Sequence, residues 1–97
     1  RVVAFASTVK RGKKSKLSYF VSDDSGQSSE RILVYNGRKI YARLAATLHV
    51  AKAGTVRTIT WKVPKKAPLG KRKWCVTATD ASANVSAPSC ARLTIKR

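Results

Sequence analysis

The residues able to do chemistry are few: two cysteines, Cys75 and Cys90, one histidine, His49, and four carboxylates, Asp23, Asp24, Glu30 and Asp80. Two thiols and one imidazole fall short of the four N or S ligands of a structural zinc site. His49 has no acidic neighbour within three positions to orient it as a base and alternates outward on a predicted strand. The serines stand in no nucleophile-elbow motif and have no partner base. Neither a glycine-rich phosphate loop nor a His-Glu-x-x-His pair occurs. Catalysis is therefore not expected, nor is a cofactor. What remains is pairing of Cys75 with Cys90, and an oxygen site for calcium at Asp23, Asp24 and Asp80. Calcium takes about six oxygens, so Asn84 and backbone carbonyls would have to complete such a site. The plainer reading of these aspartates is turn formation, each side chain bonding backbone two residues on.

Charge limits the partners. Lys and Arg number 21 against 4 Asp and Glu in 97 residues, a formal net charge of +17. The resulting field attracts polyanions: nucleic acid, an anionic membrane, or an acidic polymer such as a wall teichoic acid. A hydrophobic fraction of 43% and a mean hydropathy of −0.25 separate the chain from a disordered basic tail. No apolar run reaches the roughly 20 residues of a membrane-spanning helix. The length suits one domain, residues 1–97, with a modest core. The opening Arg1-Val2-Val3-Ala4-Phe5-Ala6 is too short for a signal peptide and there is no Met, so a processed or excised piece of a longer protein is expected.

The elements that must position these residues show period-two alternation. Leu17, Tyr19 and Val21 alternate with polar or aromatic neighbours, and Ile32 to Tyr35 is a short apolar run. Ile40, Ala42, Leu44, Ala46, Leu48 and Val50 alternate with Tyr41 to His49, favouring strand over helix. Ile59, Trp61 and Val63; Trp74, Val76 and Ala78; and Ala91, Leu93 and Ile95 follow the same rule. Turn signals fall between: Ser25-Gly26, Asn36-Gly37, Ala53-Gly54, Pro64 to Gly70, and Ala81 to Asn84. With Val2–Val9 as an opening strand and residues 1–14 as a basic strand and loop, about seven antiparallel strands predict an immunoglobulin-like β-sandwich.

The last hairpin yields to arithmetic. If residues 72–80 and 85–96 pair about a turn between Ser82 and Ala83, opposed residues sum to 165, so Asp80 faces Val85 and Cys75 faces Cys90. Both cysteines then lie on the face opposite Trp74, Val76 and Ala78, within disulfide reach of each other. Two free core cysteines fit that placement poorly. A bridge between neighbouring strands also places the chain in an oxidising compartment outside the cytosol. Residues 23–29 (DDSGQSS) and 80–86 (DASANVS) echo one another, each where a turn is wanted.

From Trp61 to Ile95 the chain resembles bacterial Ig-like modules found in tandem in secreted and cell-surface proteins. The carriers are Trp61-Lys62-Val63-Pro64, Ala67-Pro68-Leu69-Gly70, and the run from Trp74-Cys75-Val76 to Asp80-Ala81-Ser82-Ala83-Asn84-Val85-Ser86. Ala83 stands where the family has Gly, which implies a differently shaped loop. Residues 15–60 match more loosely and 1–14 hardly at all. The resemblance implies no catalytic residues and a role as spacer, adhesion unit or polymer-binding accessory, extracellular or at the bacterial cell surface.

An Ig-type topology gathers one group of cations at one end: Lys10, Arg11, Lys13, Lys14 and Lys16; Arg38 and Lys39; Lys65, Lys66, Lys71, Arg72 and Lys73; and the terminal Lys96-Arg97. The echoing acidic loops go to the other end, and Arg57 and Lys62 are placed outside the basic group. Such a pole is either an anion-binding surface, built from many weak contacts, or a generally solvated one. Nucleic acid is the less favoured partner. There is no helix for a major groove and no aromatic stripe, Trp61 and Trp74 read as core, and only Phe20 and Tyr41 read as exposed. The Asn84-Val85-Ser86 sequon would matter only in a eukaryotic secretory pathway. The expected function is a non-catalytic structural, adhesive or accessory module. Its partners would be neighbouring domains of the same polypeptide or a surface protein, with anionic wall polymer or membrane at the basic pole. The alternatives are an extracytoplasmic nucleic-acid-binding module and the accessory domain of a secreted enzyme.

Overall fold

The computed structural model describes residues 2–22, 27–50, 54–80 and 83–97, apart from the side chains of residues 46–50 and 55. They form an all-β, immunoglobulin-like sandwich. Its strands are β1 (Val2–Ala4), β2 (Ser7–Lys10), β3 (Lys14–Val21), β4 (Gln27–Asn36), β5 (Lys39–Val50), β6 (Thr55–Lys62), β7 (Gly70–Asp80) and β8 (Ser89–Lys96). One sheet has the order β1-β3-β6 and the other β2-β8-β7-β4-β5.

The opening strand divides in two, and side-chain parity explains why. Val2 and Val9 lie seven positions apart, an odd step, so an unbroken strand would point them to opposite faces. Instead β1 pairs antiparallel with β3, and β2 crosses over to pair parallel with β8. Changing sheet reverses the inward direction, and both valines are buried. The crossing is pinned by the Phe5 amide donating to the Ser18 carbonyl (3.1 Å) and the Ala4 amide donating to Ser89 Oγ (3.0 Å).

Between the sheets lie Leu17, Tyr19 and Val21 of β3, Ile32 and Val34 of β4, Trp61 of β6, Trp74, Val76 and Ala78 of β7, and Leu93 and Ile95 of β8. Val63 and Ala67, from the β6–β7 connection, close the lower end of this core. Strand β4 is longer than its apolar run. Ser28 and Glu30 continue the inward positions of Ile32 and Val34 and are buried with them.

On β5 the inward set differs from simple alternation. Val34 pairs with Ala42 but Tyr35 pairs with Ile40, a register shift that leaves Tyr41 as the extra residue. Ala42 and Leu44 pack on the core, Ile40 is 41% exposed, and Tyr41 makes an edge contact with Trp61 at 6.1 Å. The side chain of His49 lies outside the described residues.

The predicted register of the last hairpin holds from Gly70↔Ile95 to Val76↔Ser89, including Cys75↔Cys90. It fails nearer the turn: Thr79, not Asp80, bridges Val85, and the Ser86 amide donates to the Ala78 carbonyl. An extra residue is absorbed around Ala87-Pro88, where the proline has no N–H to offer a ladder, so β8 begins at Ser89. Ala83 adopts φ +68°, the left-handed conformation that the glycine of the resembling modules takes readily.

Candidate functional site

The disulfide between Cys75 and Cys90 joins adjacent strands, with Cα atoms 4.0 Å apart. It sits on the outer face of the five-stranded sheet, between the core-facing pairs Trp74↔Ala91 and Val76↔Ser89. Cys75 is only 6% exposed, beside its cross-strand neighbours Leu33 and Cys90, while Cys90 is open to solvent. Beside the bridge is an open depression of about 320 Å³ lined by Arg72, Lys73, Cys90, Ala91 and Arg92.

The residues of the predicted basic group do share one end, because strand direction places them there. β3 begins, β4 ends, β6 ends, β7 begins and β8 ends at that end. Backbone bonds tie the β2–β3 turn into it: the Arg11 amide donates to the Lys96 carbonyl (2.8 Å), and the Gly12 amide to the Val63 carbonyl (2.9 Å). The Val63 amide donates in turn to the Lys13 carbonyl (2.9 Å). Gly12 turns the chain at φ +76°, a conformation that suits glycine.

These residues do not share one face. Lys14 and Lys16, opposite Lys62 and Thr60, lie on the outer face of the three-stranded sheet. Lys71 and Lys73, opposite Thr94 and Arg92, lie on the outer face of the five-stranded sheet, as does Lys10 opposite Lys96. Arg38 and Lys39 are exposed at the β4–β5 turn, and Lys65 and Lys66 in the β6–β7 connection. Arg72 points the other way from Lys71 and Lys73. Its guanidinium donates to the Leu69 carbonyl (2.6 Å) and the Lys71 carbonyl (3.3 Å), so it braces the connection. Lys62 belongs to this end after all, directly across from Lys14.

Three exposed cations missing from the sequence-based group share the outer face with Lys71 and Lys73: Arg31, Arg43 and Arg92. Grouping by connection, not by strand face, passed over them. The signal was present, since each sits out of phase with its core-facing neighbours Ile32, Leu44 and Leu93.

At the opposite end Asp80 is engaged by Asn84. Its Oδ1 accepts from the Asn84 amide (2.9 Å) and its Oδ2 from Asn84 Nδ2 (3.1 Å), an arrangement that shapes the turn. Asp23 and Asp24, the other members of the candidate calcium set, lie outside the described residues. Among the described residues no group of three or more metal-capable side chains occurs.

Glu30 is 3% exposed and faces the core. Its carboxylate accepts from the Tyr19 hydroxyl and from Ser28 Oγ, both at 2.6 Å. Buried carboxylates persist where such bonds replace water. Burial, and then the bond to Glu30, push the Tyr19 phenol well above its ordinary value of 10.0, with Arg57 opposing less. The folded protein therefore keeps a proton that the unfolded chain loses. That contribution is intact below about pH 10 and is lost as pH rises toward the folded value. Urea midpoints should fall above that pH, and the fall should be shallower in Tyr19→Phe. The two proteins differ only in that hydroxyl, so the difference between their pH profiles reports the phenol.

No protein-family model matches the chain, and no curated protein matches it. Among solved structures, the fold is similar to one described as Clostridium thermocellum CbhA fibronectin(III)-like modules, with a TM-score of 0.60 and 15% sequence identity. The match covers 99% of this chain and 96% of that one. At that identity the likeness concerns the fold: a two-sheet sandwich of the fibronectin type III and immunoglobulin kind.

Proposed function

We propose that the chain is a non-catalytic module of a longer extracytoplasmic polypeptide, a spacer and accessory unit that also contacts anionic polymers of the cell envelope. The observation that carries this reading is the segregation of charge on the sandwich. Exposed cations gather at one end and over one sheet face, while the described carboxylates, Glu30 and Asp80, lie toward the other end. The spacer role draws support from the strand layout. β1 starts beside Val21 at the carboxylate end and β8 finishes beside Lys10 at the basic end, along a body 41 Å long. Neighbouring domains joined in series would be held apart by that length. The extracytoplasmic setting is favoured by the disulfide.

Binding to poly(glycerol phosphate), phosphatidylglycerol vesicles and duplex DNA, compared across salt concentration, tests the polyanion contact. The expected result is saturable binding to the phosphate polymer near 0.15 M salt, where the Debye length is about 8 Å, with log K falling linearly against log salt. Bound polymer should also raise the unfolding temperature by mass action. Absence of binding to any polyanion at that salt would defeat the reading. Tighter binding to DNA than to the polymer would favour the nucleic-acid alternative.

A further inference from the structure

We propose that the outer face of the five-stranded sheet is the docking surface, and that it takes a poly(glycerol phosphate) chain laid diagonally across the strands. This deepens the polyanion contact proposed above and rests on it.

The face is defined by pairing, because directly opposed residues of neighbouring strands project to the same side. Lys10 lies opposite Lys96, Thr94 opposite Lys71, and Arg92 opposite Lys73, which itself lies opposite Tyr35. The Cys75–Cys90 bridge and Leu33 form the next row with Arg43, and Thr77 and Arg31 the row after that. All seven cations, Lys10, Arg31, Arg43, Lys71, Lys73, Arg92 and Lys96, are exposed. Among the described residues no carboxylate shares this face.

Strands about 4.8 Å apart and same-face residues about 7 Å apart along a strand set the spacing of this lattice. Nearest cations therefore lie within about one Debye length at physiological salt and repel one another. A ligand with regularly spaced negative charge relieves that repulsion along its length. Five of the cations form one group beside β8, and Arg31 and Arg43 form a second beyond the uncharged band of the disulfide and Leu33. A single phosphate fills only part of one group, whereas a flexible polymer reaches both.

The chemistry also selects against bases. Stacking platforms for single strands need open aromatic faces. The one tyrosine on this face, Tyr35, is covered by the Lys73 ammonium, 4.9 Å from the ring centroid. The other sheet offers a weaker surface. Its outer face carries Lys14, Lys16 and Lys62 at one end, then gives way to the Ser18–Thr58 hydroxyl pair and to Phe20 and Val56, the latter 60% exposed.

The test uses the whole chain and two triple variants of equal charge change, Lys73→Glu/Arg92→Glu/Arg43→Glu and Lys14→Glu/Lys16→Glu/Lys62→Glu. Binding to poly(glycerol phosphate) is measured at fixed salt beside glycerol phosphate monomer and a single-stranded oligonucleotide. The sheet-face variant should lose at least tenfold more affinity than the other. Equal losses would overturn the face assignment and leave the polyanion contact standing. No binding by the unmodified chain would defeat both. Tighter binding of the oligonucleotide, or equal binding of the monomer, would overturn the choice of ligand. Should either glutamate variant unfold, the corresponding Gln triples give the same comparison, with the same ranking expected and equal losses again overturning it.

Discussion

Trp74→Ala is expected to destabilise the protein by about 3–5 kcal/mol, much of the stability of a small domain. The indole is fully buried between the sheets and meets Tyr19 edge-on, with ring centroids 6.5 Å apart. Its Nε1 donates to the Phe5 carbonyl at 3.1 Å, where the chain crosses from one sheet to the other. Truncation would open a cavity in the middle of the five-stranded sheet and leave that carbonyl without its donor. Trp74→Phe separates the two effects, because it keeps most of the ring volume and removes only the donor. It should cost about 1–3 kcal/mol. Urea denaturation of both variants gives the comparison. If Trp74→Phe is as damaging as Trp74→Ala, the hydrogen bond at the crossover matters more than the packing.

The core tryptophans and the disulfide register were legible in the sequence for one reason: both follow from period-two alternation, which the sheets obey through β3, β7 and most of β8. What escaped was set by groups that break the equation of apolar with inward. Ser28 and Glu30 occupy core positions on β4 because Tyr19 supplies a hydroxyl partner, and that partner comes from the facing sheet. No local pattern reveals it. The sheet switch after Ala4 and the bulge that exposes Ile40 are likewise answers to packing across the sandwich. The basic surface was half legible. Connections predict which end a lysine occupies, but only pairing separates Lys14 from Lys73, which share an end and face opposite ways. Alternation with Leu93 turns Arg92 outward, but only its pairing on β7 puts it beside Lys73.

Removing the Cys75–Cys90 bridge should lower stability by about 3 kcal/mol, the loop-closure value for cysteines separated by 15 positions. For a domain of this size that corresponds to a fall of about 10–25 °C in unfolding temperature. Both sulfurs lie on the outer face, so Cys75→Ala/Cys90→Ala opens no cavity between the sheets. The double variant should therefore match the reduced native protein closely, and a larger loss in the variant would mean that Cys75 packs as a core residue. The neighbouring row adds a second expectation. Lys73 and Arg92 are directly opposed on β7 and β8, two positions from the bridge, and like charges so placed repel. The covalent link holds that pair in register against its own repulsion. Without the link, the repulsion should act on fraying of the hairpin, and it should be screened by salt. The deficit of the reduced protein ought then to shrink as ionic strength rises, and to shrink again when poly(glycerol phosphate) is added. Thermal unfolding with and without reductant, at low and high salt and with polymer present, measures both. A deficit independent of salt would mean that the bridge acts through chain entropy alone.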